Sequence, residues 1–139
     1  MYKTYNCIVC GTESRFKHSK TNQYCSVKCQ QQKQYLEYIK EWKDGNNAGG
    51  NKYSTSKYIK RFIREKYENT CCECGLKDAY NGKPIVLEVD HIDGDPYNNK
   101  EENLRLVCPN CHSQSSNYKN KNIGNGRKYR QEYYEFKPL

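Results

Sequence analysis

Within VDHIDGDPYNNKEENLRLVCPNCHSQ, residues 89 to 114, the chain sets two histidines, a group of carboxylates and a cysteine pair inside 26 positions. Asp90 and His91 are adjacent at the end of a short β-branched run, and successive side chains of a strand point to opposite sides, so the two serve different points in space. A hard carboxylate oxygen suits a divalent cation such as Mg2+ or Mn2+. An imidazole, with an ordinary pKa of about 6.5, suits removal of a proton from water near neutral pH. His112 directly follows Cys111, so a metal tetrahedron that included Cys111 would anchor the helix start carrying it. Asp93 and Asp95 are near enough to replace Asp90 as a ligand, yet DGDPYNN is also what a tight loop needs, with Asp side chains capping their own backbone.

The nine cysteines fall into four short clusters, CIVCG, YCSVKC, CCECG and CPNC. A C-x-x-C-G turn aims both sulfurs at one point, and its glycine accepts the backbone that the turn leaves open. Cys7 with Cys10 forms one such knuckle and Cys71 with Cys74 another. Cys25 and Cys29, spaced to share one face of a starting helix, complete the first tetrahedron; Cys108 and Cys111 complete the second. Two four-cysteine zinc sites result, with Cys72 left over. Assigning Cys71 rather than Cys72 rests on the two-residue gap to Cys74.

What must position these groups is a small chain. It has 139 residues, 35% of them hydrophobic, a thin core that calls for disulfides or structural metal. MYKTYNCIVC contains no apolar export segment, and no run of about 18 apolar residues follows. The expectation is a cytoplasmic protein in a reducing compartment, where paired cysteines act as zinc thiolates. A formal net charge of +8 favours a polyanionic partner, nucleic acid before membrane.

SVKCQQQKQYLEYIKEWK, residues 26 to 43, reads as a helix with Leu36, Ile39 and Trp42 at helical spacing. STSKYIKRFIREKYEN, residues 54 to 69, reads as a second, with Tyr58, Ile59, Phe62, Ile63 and Tyr67 along one stripe. Lys57, Lys60, Arg61 and Arg64 lie opposite, as solvated surface or as a face that follows phosphates. IVLEVDH, residues 85 to 91, and LRLV, residues 104 to 107, read as strands, with a helix beginning around Cys111. The domain reading is a zinc finger with its helix over 1–43, a Gly/Asn-rich linker over 44–53, a second zinc-bearing domain over 54–123, and a basic arm over 124–139. That arm, with Arg127, Lys128 and Arg130, either lies along DNA or is a solvated tail.

DHIDGDPYNNKEENLRLVCPNCHSQ resembles the core of HNH endonucleases, the ββα-metal nucleases, and SKYIKRFIREKYENTCCECG resembles the segment leading into it in zinc-braced members. CIVCG with YCSVKC is similar to a treble-clef finger. The resemblance implies a small α+β, metal-stabilised fold, a ββα-metal core joined to an N-terminal treble-clef-like finger by helices. By position it implies that Asp90 and His112 hold one catalytic Mg2+ or Mn2+, that His91 is the general base, and that Asn103 orients the His91 ring. The implied substrate is double-stranded DNA, cut in a homing, mobile-element or phage setting. A restriction endonuclease, or a zinc-finger module that binds DNA without cutting, are the alternatives. One such core cuts one strand, so both monomer and homodimer remain open.

Overall fold

A computed structural model describes residues 3–16, 23–51, 54–77 and 79–122. The chain divides into two compact units, residues 1–41 and 42–139, with α+β content. The basic arm expected at 124–139 lies outside the described residues.

In the first unit, β1 (Lys3–Asn6) pairs antiparallel with β2 (Glu13–Phe16), from Lys3 opposite Phe16 to Asn6 opposite Glu13. The first knuckle is the turn between them. Cys7 N–H donates to Thr12 O at 3.0 Å and Gly11 N–H to Cys7 O at 2.8 Å, with Gly11 at φ +73°, a conformation that a side chain would strain. The hairpin is fastened by the Tyr5 hydroxyl, which donates to Tyr24 O at 2.7 Å. α1 (Val27–Lys43) follows, its start satisfied by Ser26 Oγ, which accepts from Cys29 N–H. In this unit its buried side chains are Tyr35 and Ile39, at i and i+4, while Trp42 is buried in the second unit; Leu36, expected beside Ile39 and Trp42, faces solvent at 52% exposure.

The second unit takes in the end of α1 from Trp42 onward and the Gly/Asn-rich stretch after it. That stretch makes specific bonds: Ser56 N–H donates to Gly49 O, and Gly50 bridges to Thr55. α2 (Lys57–Lys66) starts at Ser56, whose Oγ accepts from Tyr58 N–H, and it ends where Glu68 and Asn69 both take φ +50°. Ile59 and Ile63 are fully buried, and α2 packs on the hairpin of β5 (Glu88–His91) and β6 (Leu104–Val107). Leu104, Leu106 and Val107 supply the opposing apolar surface. β5 is shorter than the expected 85–91, because β6 offers only four residues before Cys108 turns away.

The register places Asp90 opposite Arg105 and His91 opposite Leu104. Between the strands, Asp95 N–H donates to Asp93 Oδ1 and Tyr97 N–H to Asp95 Oδ1, so both loop aspartates cap backbone. Burial alone would raise the Asp93 carboxyl, but bonds from Asn98, the Asp95 amide and Asn103 outweigh it and lower it. A lowered carboxyl adds stability above its unfolded value that is lost as pH falls through the folded one, so this loop loosens in acid. α3 (Pro109–Gln114) begins two residues before the expected start, because Cys108 Sγ caps it by accepting from Cys111 N–H at 3.4 Å.

A small hairpin, β3 (Ala79–Tyr80) with β4 (Lys83–Pro84), was not expected. Its turn is Asn81-Gly82, both at positive φ, the residue pair that two-residue hairpins favour.

Candidate functional site

Cys7, Cys10, Cys25 and Cys29 bring their sulfurs within 4.8 Å of one another, as do Cys71, Cys74, Cys108 and Cys111. A zinc tetrahedron with bonds of about 2.3 Å has sulfur–sulfur edges of about 3.8 Å. The observed separations of 3.5 Å for Cys10–Cys25, 3.5 Å for Cys25–Cys29 and 3.8 Å for Cys74–Cys108 sit close to that, and far from a disulfide. Crowding divides the thiols. Cys7 is lowered to about 6, first by the backbone N–H of Cys25, while Cys25 is pushed up to about 12 by the sulfurs of Cys10 and Cys29. A dication relieves that conflict by stabilising all four thiolates. Both groups fit structural zinc.

The second knuckle repeats the first: Cys71 N–H donates to Leu76 O, Gly75 N–H to Cys71 O, and Gly75 takes φ +73°. Cys72 N–H donates to Leu106 O, which ties the knuckle to β6 and leaves the Cys72 thiol outside the tetrahedron. Through Cys108 and Cys111 the same cluster fixes the start of α3, and with it His112.

Asp90 is buried at 6% exposure, and its Oδ1 lies 3.5 Å from His112 Nε2. The other oxygen, Oδ2, accepts from Arg105 at 2.9 Å, and Arg105 also donates to Glu73 and to Ser115 Oγ. Arg105 thus pins one Asp90 oxygen and leaves the second toward the imidazole. His112 Nδ1 bonds Glu88 Oε2, and the ring packs edge-on against Tyr118. With its Nδ1 proton committed to a carboxylate, a neutral His112 presents the Nε2 lone pair to Asp90. Two acceptors then face each other, an arrangement that a cation between them stabilises, and bonds of about 2.1 Å from each side can span the gap.

His91 departs from what the family resemblance implies. Its Nε2 lies 3.0 Å from Asn99 Oδ1, whereas the Asn103 side chain serves the loop. Asn103 Nδ2 donates to Asp93 Oδ1 and Asn98 O, both at 2.8 Å, and its Oδ1 accepts from Asp93 N–H. The ring partner is therefore Asn99, four residues earlier, because the turn at Glu101–Asn103 directs the Asn103 amide into the loop. Sequence reasoning missed Asn99, Glu88 and the pinning role of Arg105. Only the register supplied a signal: strand alternation puts Glu88 on the Asp90 side of β5.

Over 76 residues, 54% of its length, the chain is 42% identical to the H-N-H endonuclease F-TflIV of Escherichia phage T5. Half of this chain is similar to an HNH endonuclease. A second relative, the Zorya protein ZorE of Escherichia coli, is 32% identical over 77 residues. These matches cover 33% of the first protein and 16% of the second, so the chain spans a minor part of either. No family model and no solved structure matches the chain. Among the described residues, no helix is long and apolar enough to cross a membrane.

Proposed function

We propose that the chain is a metal-dependent HNH endonuclease of phage type that hydrolyses phosphodiester bonds of double-stranded DNA. One observation supports this above the others: Asp90 Oδ1 and His112 Nε2 face each other at 3.5 Å while the adjacent His91 is held by a different partner. The domain division that goes with it is a four-cysteine finger with α1, followed by the nuclease core.

In this reading His91 takes a proton from the water that attacks phosphorus in line with the leaving 3′-oxygen. Asp90 and His112 would hold Mg2+ or Mn2+, which would supply positive charge to a phosphate oxygen and to the leaving group. Arg105 keeps Asp90 oriented, and Glu88 keeps the His112 lone pair aimed at it. Products carry 5′-phosphate and 3′-hydroxyl ends. Lys57, Lys60, Arg61 and Arg64 of α2 are the cations proposed to follow the DNA backbone, Arg61 being already paired with Glu65 at 2.7 Å. A reducing cytoplasm suits a protein held by zinc thiolates.

Supercoiled plasmid incubated with the zinc-loaded protein should be nicked or linearised with Mg2+ or Mn2+ and remain intact with EDTA-treated buffer. Glu88→Ala should raise the Mg2+ concentration needed for half-maximal cutting by about 10- to 100-fold. Tight DNA binding with no cutting under any divalent cation would instead favour a zinc-finger binding module.

A further inference from the structure

Asn99 lies in the loop between β5 and β6, is 5% exposed, and is bonded to five residues of the second unit. Its backbone carbonyl accepts from Trp42 Nε1–H at 2.8 Å. Its Nδ2 lies 3.3 Å from Ala48 O and 3.5 Å from Tyr97 O. Its Oδ1 lies 2.9 Å from Thr55 Oγ1 and 3.0 Å from His91 Nε2. Behind it the chain is close: a Cβ added at Gly49 would stand 2.9 Å from Asn99 Cβ.

Those partners decide which way the amide points. Ala48 O and Tyr97 O are carbonyls that only accept, so the corner facing them is the NH2 group. The corner facing His91 and Thr55 is then the carbonyl oxygen, which only accepts, and both neighbours must donate to it. A neutral imidazole carries one proton. If Nε2 holds it, Nδ1 keeps the lone pair.

We propose that Asn99 is the positioning residue that locks His91 in its Nε2–H tautomer and so makes Nδ1 the basic nitrogen. The stretch from Trp42 to Thr55 is the brace that fixes the Asn99 amide. The mechanistic consequence rests on the reading of His91 as the general base; the tautomer itself does not.

The test is a long-range 1H–15N correlation spectrum of the full zinc-loaded chain, 15N-labelled at histidine, without DNA and at about pH 8.5, where imidazoles of ordinary pKa are neutral. The chain has three histidines, and the His91→Gln spectrum identifies the signals of one by their loss. The expected result is a protonated Nε2 and an unprotonated Nδ1 for His91. A protonated Nδ1 on His91 in the wild-type chain overturns the proposal, whatever the Asn99 variant shows.

Asn99→Leu, verified to retain zinc and a cooperative melt, should show a mixture of both tautomers. Its kcat for plasmid cutting should fall about 10- to 100-fold with KM for DNA unchanged. A variant that keeps a pure Nε2–H signature also overturns the proposal. Should the wild-type chain cut no DNA at all, the nuclease reading fails while the spectrum still reports on Asn99.

Discussion

His91→Ala is expected to melt, bind zinc and bind DNA as the wild type does, and to cut DNA about 100- to 10,000-fold more slowly. The two halves of that expectation have separate physical grounds. His91 is half-buried at the end of β5, and among the described residues its side chain bonds Asn99, so truncation removes a contact worth about 1 kcal/mol. Asn99 keeps its bonds to Thr55, Ala48 and Trp42, and no buried charge is stranded. On the proposed mechanism the chemistry loses far more, because the imidazole assigned to take the proton from the attacking water is gone, and the neighbouring carboxylates of β5, Asp90 and Glu88, are bonded to Arg105 and His112. Parallel plasmid-cutting rates and thermal melts measure both halves. Cutting that persists at the wild-type rate would remove His91 as the base, and a collapse of the melt would make the loss of cutting uninformative.

The two four-cysteine groups were legible in the sequence because a knuckle is a local device. Two-residue gaps closed by Gly11 and Gly75 fix the sulfur geometry within five positions, and the leftover Cys72 was separable by spacing alone. The core of α2 was legible for a similar reason, since Ile59 and Ile63 follow one helical period. Leu36 was not. Periodicity identifies a stripe but not its centre, and in α1 the buried stripe runs through Tyr35 instead. The partner of His91 was hidden for a deeper reason. Asn99 is oriented by Thr55 and Trp42, 44 and 57 positions away, so no local rule could prefer it to Asn103. The Asn81-Gly82 turn, by contrast, is a local signal, a residue pair that favours a two-residue hairpin on its own.

Removing the second zinc is expected to cost the chain its activity and the fold of its second unit together. The apolar core there is small: Trp42, Ile59, Ile63, Leu87, Leu104, Leu106 and Val107 are its buried hydrophobic side chains besides cysteine among the described residues. Structural zinc in isolated fingers contributes about 10–16 kcal/mol, as large as the whole stability of a typical domain, about 5–15 kcal/mol. α3 has six residues, far too few to stand as a helix alone, and Cys108 is both its cap and a ligand. Cys108→Ser should therefore lower the zinc content from two per chain to one, lower the melting temperature of the second unit, and abolish cutting. Cys72→Ser, which alters a thiol outside the tetrahedron, should keep both zinc ions and at least half the activity. The first variant connects scaffold to site: once α3 is released, His112 loses its place 3.5 Å from Asp90, where the pair is proposed to hold the catalytic cation. Metal analysis and plasmid cutting on the same preparations check this, and a Cys108→Ser protein that cut DNA with one zinc bound would break the connection between scaffold and site.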